Sequence, residues 1–200
     1  MKPMKLLAVI SVLPTFNAAL INIKANLKSV LLFSLLATHA VMAMGSVCSE
    51  NWKITGYYSP IEADFPQVKN TSVRVKNMGN IPFNQSFVSD VKLNGWGRTR
   101  YGWYLGYFGK QWHKSDTPLD AQGKHLQLGA VAIDREFLKM GNKIVIPQVN
   151  DIVGVSWFVA RDTGSAIKKK HIDVYTGEGK LARAVSWKVT GRKQVCITSI

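Results

Sequence analysis

The sequence predicts a mainly all-β fold, a small barrel or sandwich. Short runs rich in β-branched and aromatic residues follow one another along the chain, and Gly, Pro, Asn or Asp separates most of them. Helical periodicity is weak, so we expect one or two short helices, at 181–187 and as a single turn at 135–140. The expected strands are 52–58, 71–75, 87–93, 103–108, 128–133, 143–146, 153–161, 172–175 and 194–198.

The first 44 residues differ from the rest because they contain no acidic residue. Lys24 and Lys28 precede an apolar run at 29–43 that ends in Val-Met-Ala, which is typical of a signal peptide. We therefore predict a leader at 1–44 and one domain at 45–200, exported to the periplasm, the cell envelope or the medium. The remaining length is enough to bury a core without help.

A second apolar stretch, at 6–23, leaves other interpretations of the leader open. Pro14, Asn17 and Asn22 interrupt it, so a membrane helix there is an alternative, as is a translation start later than Met1. We expect no stable membrane span after the leader.

Two cysteines, Cys48 and Cys196, lie near the two ends of the predicted domain. In an oxidising compartment they would form one disulfide that ties the ends together. Two alternatives remain at this stage. One is a lipid anchor on Cys48, although such an anchor needs a small residue just before the cysteine and usually a leucine two positions earlier, where this chain has Val47 and Gly45. The other is that the two cysteines are free buried thiols.

The formal charge of the chain is +14, and removal of the four lysines in the leader leaves +10. Such an excess predicts an anionic partner. An exported protein meets cell-wall polymers and lipid head groups before nucleic acid, so we expect no nucleic-acid partner, and we expect a monomer. The lysines at 168–170 also fit a solvated turn.

Two apolar runs at 157–160 and 172–175 each carry one aspartate, Asp162 just past the first and Asp173 inside the second. A turn of Thr163, Gly164 and Ser165 follows the first run. Two strands joined this way would bring the carboxylates together, and a carboxyl near a second carboxylate on an apolar floor holds its proton longer. The alternative is that each aspartate only caps a turn.

The segment 95–112 is the most aromatic of the chain, with three tryptophans, three tyrosines and one phenylalanine among five glycines. Aromatic rings beside basic residues suit a sugar-binding groove, because the C–H faces of a pyranose stack on rings. The alternative is a long hairpin that packs over one end of the barrel.

The sequence lacks the motifs of a zinc site, a phosphate-binding loop and a serine or cysteine nucleophile. The histidines show no paired spacing for zinc, no glycine-rich phosphate loop or Gly-x-Ser-x-Gly element is present, and the cysteines lie at the termini. We therefore expect no metal and no cofactor.

The stretch DTGSAIKKKHID, from Asp162 to Asp173, resembles the signature of the three-aspartate (3D) domain family, which includes the catalytic domain of membrane-bound lytic transglycosylase A and short secreted proteins. Ser165 and Lys169 stand where the family more often has glycine. The upstream AIDREFLKMGNKIVIP supplies the third aspartate as Asp134, and ITGYYSP at 54–60 resembles the first strand of such domains.

The resemblance implies a six-stranded double-psi β-barrel with an inserted aromatic hairpin. It also implies a lytic transglycosylase that cleaves the MurNAc-β-1,4-GlcNAc bond of peptidoglycan glycan strands and leaves 1,6-anhydro ends. Asp173 would be the acid and base, with Asp162 and Asp134 holding its geometry and raising its pKa. The expected substrate-binding residues are Tyr58, Trp103, Thr163, Gly164, Lys168 and His171.

Two other classes of protein remain possible from the sequence. A non-catalytic wall-binding module of the expansin-like barrel class would use the aromatic segment and the positive charge. A secreted structural or interaction protein would use the aspartates only as turn caps.

Overall fold

A computed structural model describes residues 45–66 and 69–198 of the chain. The predicted leader at 1–44 lies outside the described residues and stays a prediction. None of the helices in the described ranges is both long and apolar enough to cross a membrane.

Six strands close into a barrel, which confirms the predicted fold class. The barrel strands are β1 (Ser46–Ser59), β7 (Ala130–Ala132), β8 (Lys143–Val145), β9 (Phe158–Asp162), β10 (His171–Glu178) and β11 (Gly191–Thr198). They lie in the order β1, β10, β7, β9, β8, β11. β1 with β10 and β7 with β9 are parallel pairs, and the other pairs that have a recorded register are antiparallel.

The barrel interior is filled by alternate residues of its strands. Trp52 and Ile54 of β1 and Ile172 and Val174 of β10 are buried in this core. Since strand side chains alternate between faces, the residues between them point to the other side. Full burial of each such apolar side chain contributes roughly 1.5 to 3 kcal/mol, so the core holds β1 against β10 along their length.

A second sheet of five strands is inserted between β1 and β7. Its strands are β2 (Asn70–Val75), β3 (Gly79–Asn84), β4 (Trp96–Arg98), β5 (Tyr104–Phe108) and β6 (Gln111–Ser115), in the order β3, β2, β6, β5, β4. The predicted aromatic insertion at 95–112 forms β4, β5 and the start of β6. It is therefore part of a larger unit that has its own core, which includes Val73, Phe83 and Leu105.

The strand predicted at 87–93 is wrong, because this segment is helix α1 (Gln85–Asn94). The side chain of Asn84 accepts hydrogen bonds from the backbone N–H groups of Ser86 and Phe87, at 2.9 and 3.2 Å, and so caps the helix. Phe87 and Val91, four residues apart, are both fully buried, which is helical spacing.

The strand predicted at 153–161 is also partly wrong, since its first residue ends helix α2 (Pro147–Val153) and the strand begins only at Phe158. Proline suits the first turn of a helix, and Gly154 adopts the left-handed conformation (φ 76°) that ends it. Helix α3 (Gly179–Val189) contains the predicted helix at 181–187. The described residues thus hold three α-helices, of which α1 and α2 were not predicted.

A buried carboxylate ties the inserted sheet to the end of β1. Glu62 is fully buried in a short 3-10 helix (Glu62–Asp64). It accepts hydrogen bonds from the backbone N–H of Asn84 at 2.7 Å, the backbone N–H of Arg100 at 2.9 Å and Nε of Arg100 at 2.9 Å. Glu62 and Arg100 form the one side-chain ion pair within the described ranges, and it holds three chain segments at one point.

Cys48 of β1 and Cys196 of β11 lie directly opposite each other in an antiparallel pair and are joined by a disulfide with an S–S distance of 2.04 Å. The bond links the first and last strands of the barrel.

Candidate active site

β1 and β10 carry one row of polar side chains on the face turned away from the barrel core. The cross-strand pairs in this row are Lys53 with His171, Thr55 with Asp173, and Tyr57 with Tyr175. We call these six residues the polar row. The parallel pairing places the row because alternate residues of both strands, such as Ile54 and Ile172, occupy the core.

Asp173 lies in the middle of the polar row and is half-buried. Its Oδ1 accepts a hydrogen bond from the hydroxyl of Thr55 at 2.6 Å. Burial raises the pKa of Asp173 to about 6, and the charge of Asp162 adds to the rise, whereas the Thr55 hydrogen bond and the charge of Lys53 oppose it. A partly exposed carboxyl with this pKa can give up and take back a proton near neutral pH.

Asp162 lies at the end of β9. Its Oδ2 accepts a hydrogen bond from the Tyr57 hydroxyl at 2.7 Å, and its Oδ1 accepts one from the backbone N–H of Thr163 at 2.8 Å. Burial raises the pKa of Asp162 against the effect of these hydrogen bonds. Asp162 acts on Asp173 through its charge, so the structure brings the two carboxyls into one electrostatic site.

The strands of these two aspartates are not neighbours in the barrel. β9 and β10 both pair with β7, which lies between them. Ala132 of β7 is in register with both Asp162 and Asp173. Ala132 is itself buried, in a cluster that includes Tyr57 and Tyr175.

His171 is linked to Asp173 through Thr55. Its Nε2 lies 2.9 Å from the Thr55 hydroxyl oxygen. Which of these two atoms donates depends on the tautomer of the His171 ring. Burial and the nearby charge of Lys53 lower the pKa of His171, which favours the neutral ring.

Asp134 has a different environment from the other two aspartates. Its carboxylate accepts hydrogen bonds from the backbone N–H groups of Lys169 at 2.8 Å and Glu136 at 3.1 Å. These hydrogen bonds lower the pKa of Asp134. The structure therefore places Asp134 against the loop that leads into β10, with no hydrogen bond to Asp162 or Asp173 in the described residues.

The remaining residues expected to bind substrate are dispersed. Tyr58 is buried on the other face of β1 and donates a hydrogen bond to Asp90, and Trp103 is buried in the core of the inserted sheet. Thr163 and Lys168 are exposed on the loop between β9 and β10, and Gly164 begins the turn closed by Ile167.

Aromatic and polar side chains that the sequence analysis missed complete the site. Tyr57 and Tyr175 pack with ring centroids 5.3 Å apart, and Tyr175 shares a hydrogen bond of 3.0 Å with Ser59. From the inserted sheet, Tyr104 donates a hydrogen bond to Glu178 at 2.8 Å. The alternation of Thr55 and Tyr57 in the predicted first strand was a usable signal for their shared face.

Asp120, in the loop before β7, is another residue that the sequence analysis missed. It is buried, and its charge raises the pKa of Asp162. Its Oδ1 accepts hydrogen bonds from the backbone N–H groups of Gln122 and Lys124, whereas Oδ2 has no hydrogen-bond partner among the described residues. In sequence it resembles an ordinary turn aspartate, so only the fold places it near Asp162.

The described residues contain no group of three or more His, Cys, Asp or Glu side chains arranged to hold a metal ion. A shallow depression of about 590 Å³ lies on the inserted sheet, between Lys76 and His113, and includes neither Asp162 nor Asp173.

Residues 129–198, which include Asp134, Asp162 and Asp173, match the family model of the 3D domain. No curated protein shows significant similarity to the chain.

Several solved structures are similar to this fold. MltA of E. coli with bound chitohexaose has a TM-score of 0.57 at 15% identity, over 74% of this chain and 71% of that one. A membrane-bound lytic murein transglycosylase from Agrobacterium tumefaciens has a TM-score of 0.54 at 14% identity, over 76% of each chain. MltA from Neisseria gonorrhoeae has a TM-score of 0.51 at 14% identity, over 76% and 72%.

At such identities the likeness establishes the fold, and the family match identifies the part that carries the aspartates. Residues 129–198 therefore match the model of the 3D domain, within a fold similar to that of the MltA lytic transglycosylases.

Proposed function

We propose that the protein is a peptidoglycan lytic transglycosylase in which Asp173 is the single acid and base. The observation that carries the proposal is the position of Asp173, half-buried in the polar row with a pKa of about 6. The similar structures support it, since they are lytic transglycosylases and one holds a chitohexaose.

The reaction would proceed in two proton transfers. Protonated Asp173 gives its proton to the glycosidic oxygen as the bond from that oxygen to C1 of MurNAc breaks. The Asp173 carboxylate then takes the proton of the C6 hydroxyl of the same sugar as O6 attacks C1, which closes the 1,6-anhydro ring and restores the acid. Ordinary glycosidases use a second carboxyl for water activation or nucleophilic attack, a step that this route does not need.

The neighbours of Asp173 would have separate roles. Asp162 keeps the pKa of Asp173 high and stabilises the positive charge that develops at C1. Thr55 orients the Asp173 carboxyl, and the Tyr57 hydroxyl holds the Asp162 carboxyl in place. We propose that this chemistry occurs outside the cytoplasm, on glycan strands, by a monomer released from its leader.

Incubation of the purified protein with isolated peptidoglycan tests the proposal. We expect soluble muropeptides that end in 1,6-anhydro-muramic acid, measured by mass spectrometry. Products with reducing ends would instead show a hydrolase. Retention of the protein on the wall without any product would favour the binding module.

The variant Thr55→Val is expected to move the alkaline limit of activity to higher pH. Cleavage requires protonated Asp173, so activity should fall as the pH rises through about 6. The Thr55 hydroxyl stabilises the carboxylate form, and a hydrogen bond to a charged group is worth roughly 1.5 to 3 kcal/mol, so its loss should raise the midpoint by about one to two pH units. A pH profile of the rate measures this.

Thr55→Ser is the matched control, because it keeps the hydroxyl and should keep the parent midpoint. A profile of Thr55→Val that coincides with that of the parent would contradict the assigned role of the hydrogen bond.

A further inference from the structure

The outer face of α3 exposes two large apolar side chains. Leu181 is 84% exposed and Trp187 is 69% exposed. The opposite face of the helix buries Ala182, Ser186 and Val189 against the barrel. The two exposed side chains are therefore not part of the core, since the helix packs on the barrel through its opposite face.

Basic residues share that outer face. At 100° per residue, one arc of about 160° contains the exposed residues Leu181, Ala184 and Trp187 together with the exposed residues Lys180, Arg183 and Lys188. We call these six residues the α3 face. The helix has no acidic residue, and the carboxylates at its N-terminal end have other partners, since Glu178 accepts a hydrogen bond from Tyr104 and Asp64 accepts one from the backbone N–H of Lys180.

The α3 face and the polar row lie on opposite sides of β1. Gly56 faces α3 so closely that a Cβ atom there would lie 2.6 Å from the Cα of Ser186. Its neighbours Thr55 and Tyr57 point to the other side, where they contact Asp173 and Asp162. Contact through the α3 face would thus leave the polar row accessible.

We propose that the α3 face docks on an anionic phospholipid bilayer, with Leu181 and Trp187 in the interface and the basic side chains on the headgroup phosphates. Interleaved Lys, Arg, Trp and Leu on one helix face match this surface, because tryptophan favours the membrane interface and basic residues are drawn to anionic lipids. Charge complementarity favours this occupant over a second copy, whose α3 face is also basic. It also favours lipid over residues 1–44, which contain four lysines and no acid.

Partition of the full chain into vesicles of phosphatidylcholine with 30% phosphatidylglycerol tests the proposal. We expect the double variant Leu181→Ser, Trp187→Ser to reduce the partition coefficient at least about tenfold relative to the parent. The matched control is Trp157→Ser, which removes a tryptophan that is 50% exposed and also lies beside a lysine, Lys143. It should bind as the parent does.

A local probe separates α3 from any contribution of residues 1–44. Both cysteines of the sequence are in the disulfide, so Ala184→Cys supplies one reactive thiol in the centre of the α3 face. We expect a fluorophore there to be quenched by spin-labelled lipid in the anionic vesicles, and a fluorophore at exposed Ser89→Cys on α1 to stay unquenched.

Three results would overturn the proposal. The first is a double variant that binds vesicles as the parent does, and the second is a probe at position 184 that stays in water. The third is a double variant that loses binding to isolated peptidoglycan alone, which would assign the α3 face to a wall polymer.

Discussion

The substitution Asp173→Asn is expected to reduce the release of anhydro-muropeptides by about 10³-fold or more, while the protein still binds the wall. General acid and base catalysis by a positioned side chain contributes typically 10² to 10⁴-fold. Here one carboxyl would perform both proton transfers, and the amide can perform neither. The rate of appearance of anhydro ends, beside the amount of protein retained on peptidoglycan, measures both halves of the prediction.

Loss of folding would not explain such a result. The pKa of Asp173 in the folded protein, about 6, is above the ordinary value of 3.8. A carboxyl whose pKa is raised on folding contributes its full stabilisation below the pKa that it has in the unfolded chain. That contribution is lost as the pH rises through the pKa that it has in the folded protein. At pH 7 the asparagine variant should therefore unfold at a temperature no lower than the parent does.

Asp151→Asn is the matched control, because Asp151 is an exposed carboxylate on α2. It should cleave at the parent rate. Equal cleavage by Asp173→Asn and the parent would remove Asp173 from the mechanism, whatever its pKa.

Removal of the disulfide is expected to lower the free energy of unfolding by about 5 kcal/mol. Cys48 and Cys196 are 148 residues apart, and the entropy of closing a loop of this length in the unfolded chain gives that value. The double variant Cys48→Ser, Cys196→Ser should therefore unfold at a much lower urea concentration than the oxidised parent.

The parent under reducing conditions supplies an independent comparison. Its stability should fall to that of the double serine variant, which a reductant should leave unchanged. An unchanged urea midpoint after reduction of the parent would contradict the prediction, because it would show that the disulfide does not stabilise the folded protein.

The helix α1 shows where the local pattern failed. Phe87, Val88 and Val91 form a short apolar run, and such a run does not distinguish a strand from a buried helix. The stronger signal was Asn84, which ends β3 and caps the helix with its side chain. Packing of Phe87 and Val91 into the core of the inserted sheet then selects the helix.

In the candidate site, some residues could be identified from the sequence and others only from the structure. The motif around Asp162 and Asp173 identified both carboxyls, because the family signature is a continuous stretch. It did not identify Thr55, whose hydrogen bond to Asp173 spans 118 residues of sequence, or the buried Asp120. Trp103 lies in an aromatic segment typical of a sugar-binding groove, but the structure places its side chain in the core of the inserted sheet.

The sequence by itself determined most of the strands, the turns between them, the two cysteines and the pair of aspartates, because each depends on residues close together in the chain. Only the tertiary structure decided that β7 lies between the strands of Asp162 and Asp173, and that Thr55 lies opposite Asp173. The physical reason is that closure of a barrel sets the strand order and register through burial of the whole core. The pKa of Asp173 follows from that closure, since burial and the charge of Asp162 are both properties of the assembled site.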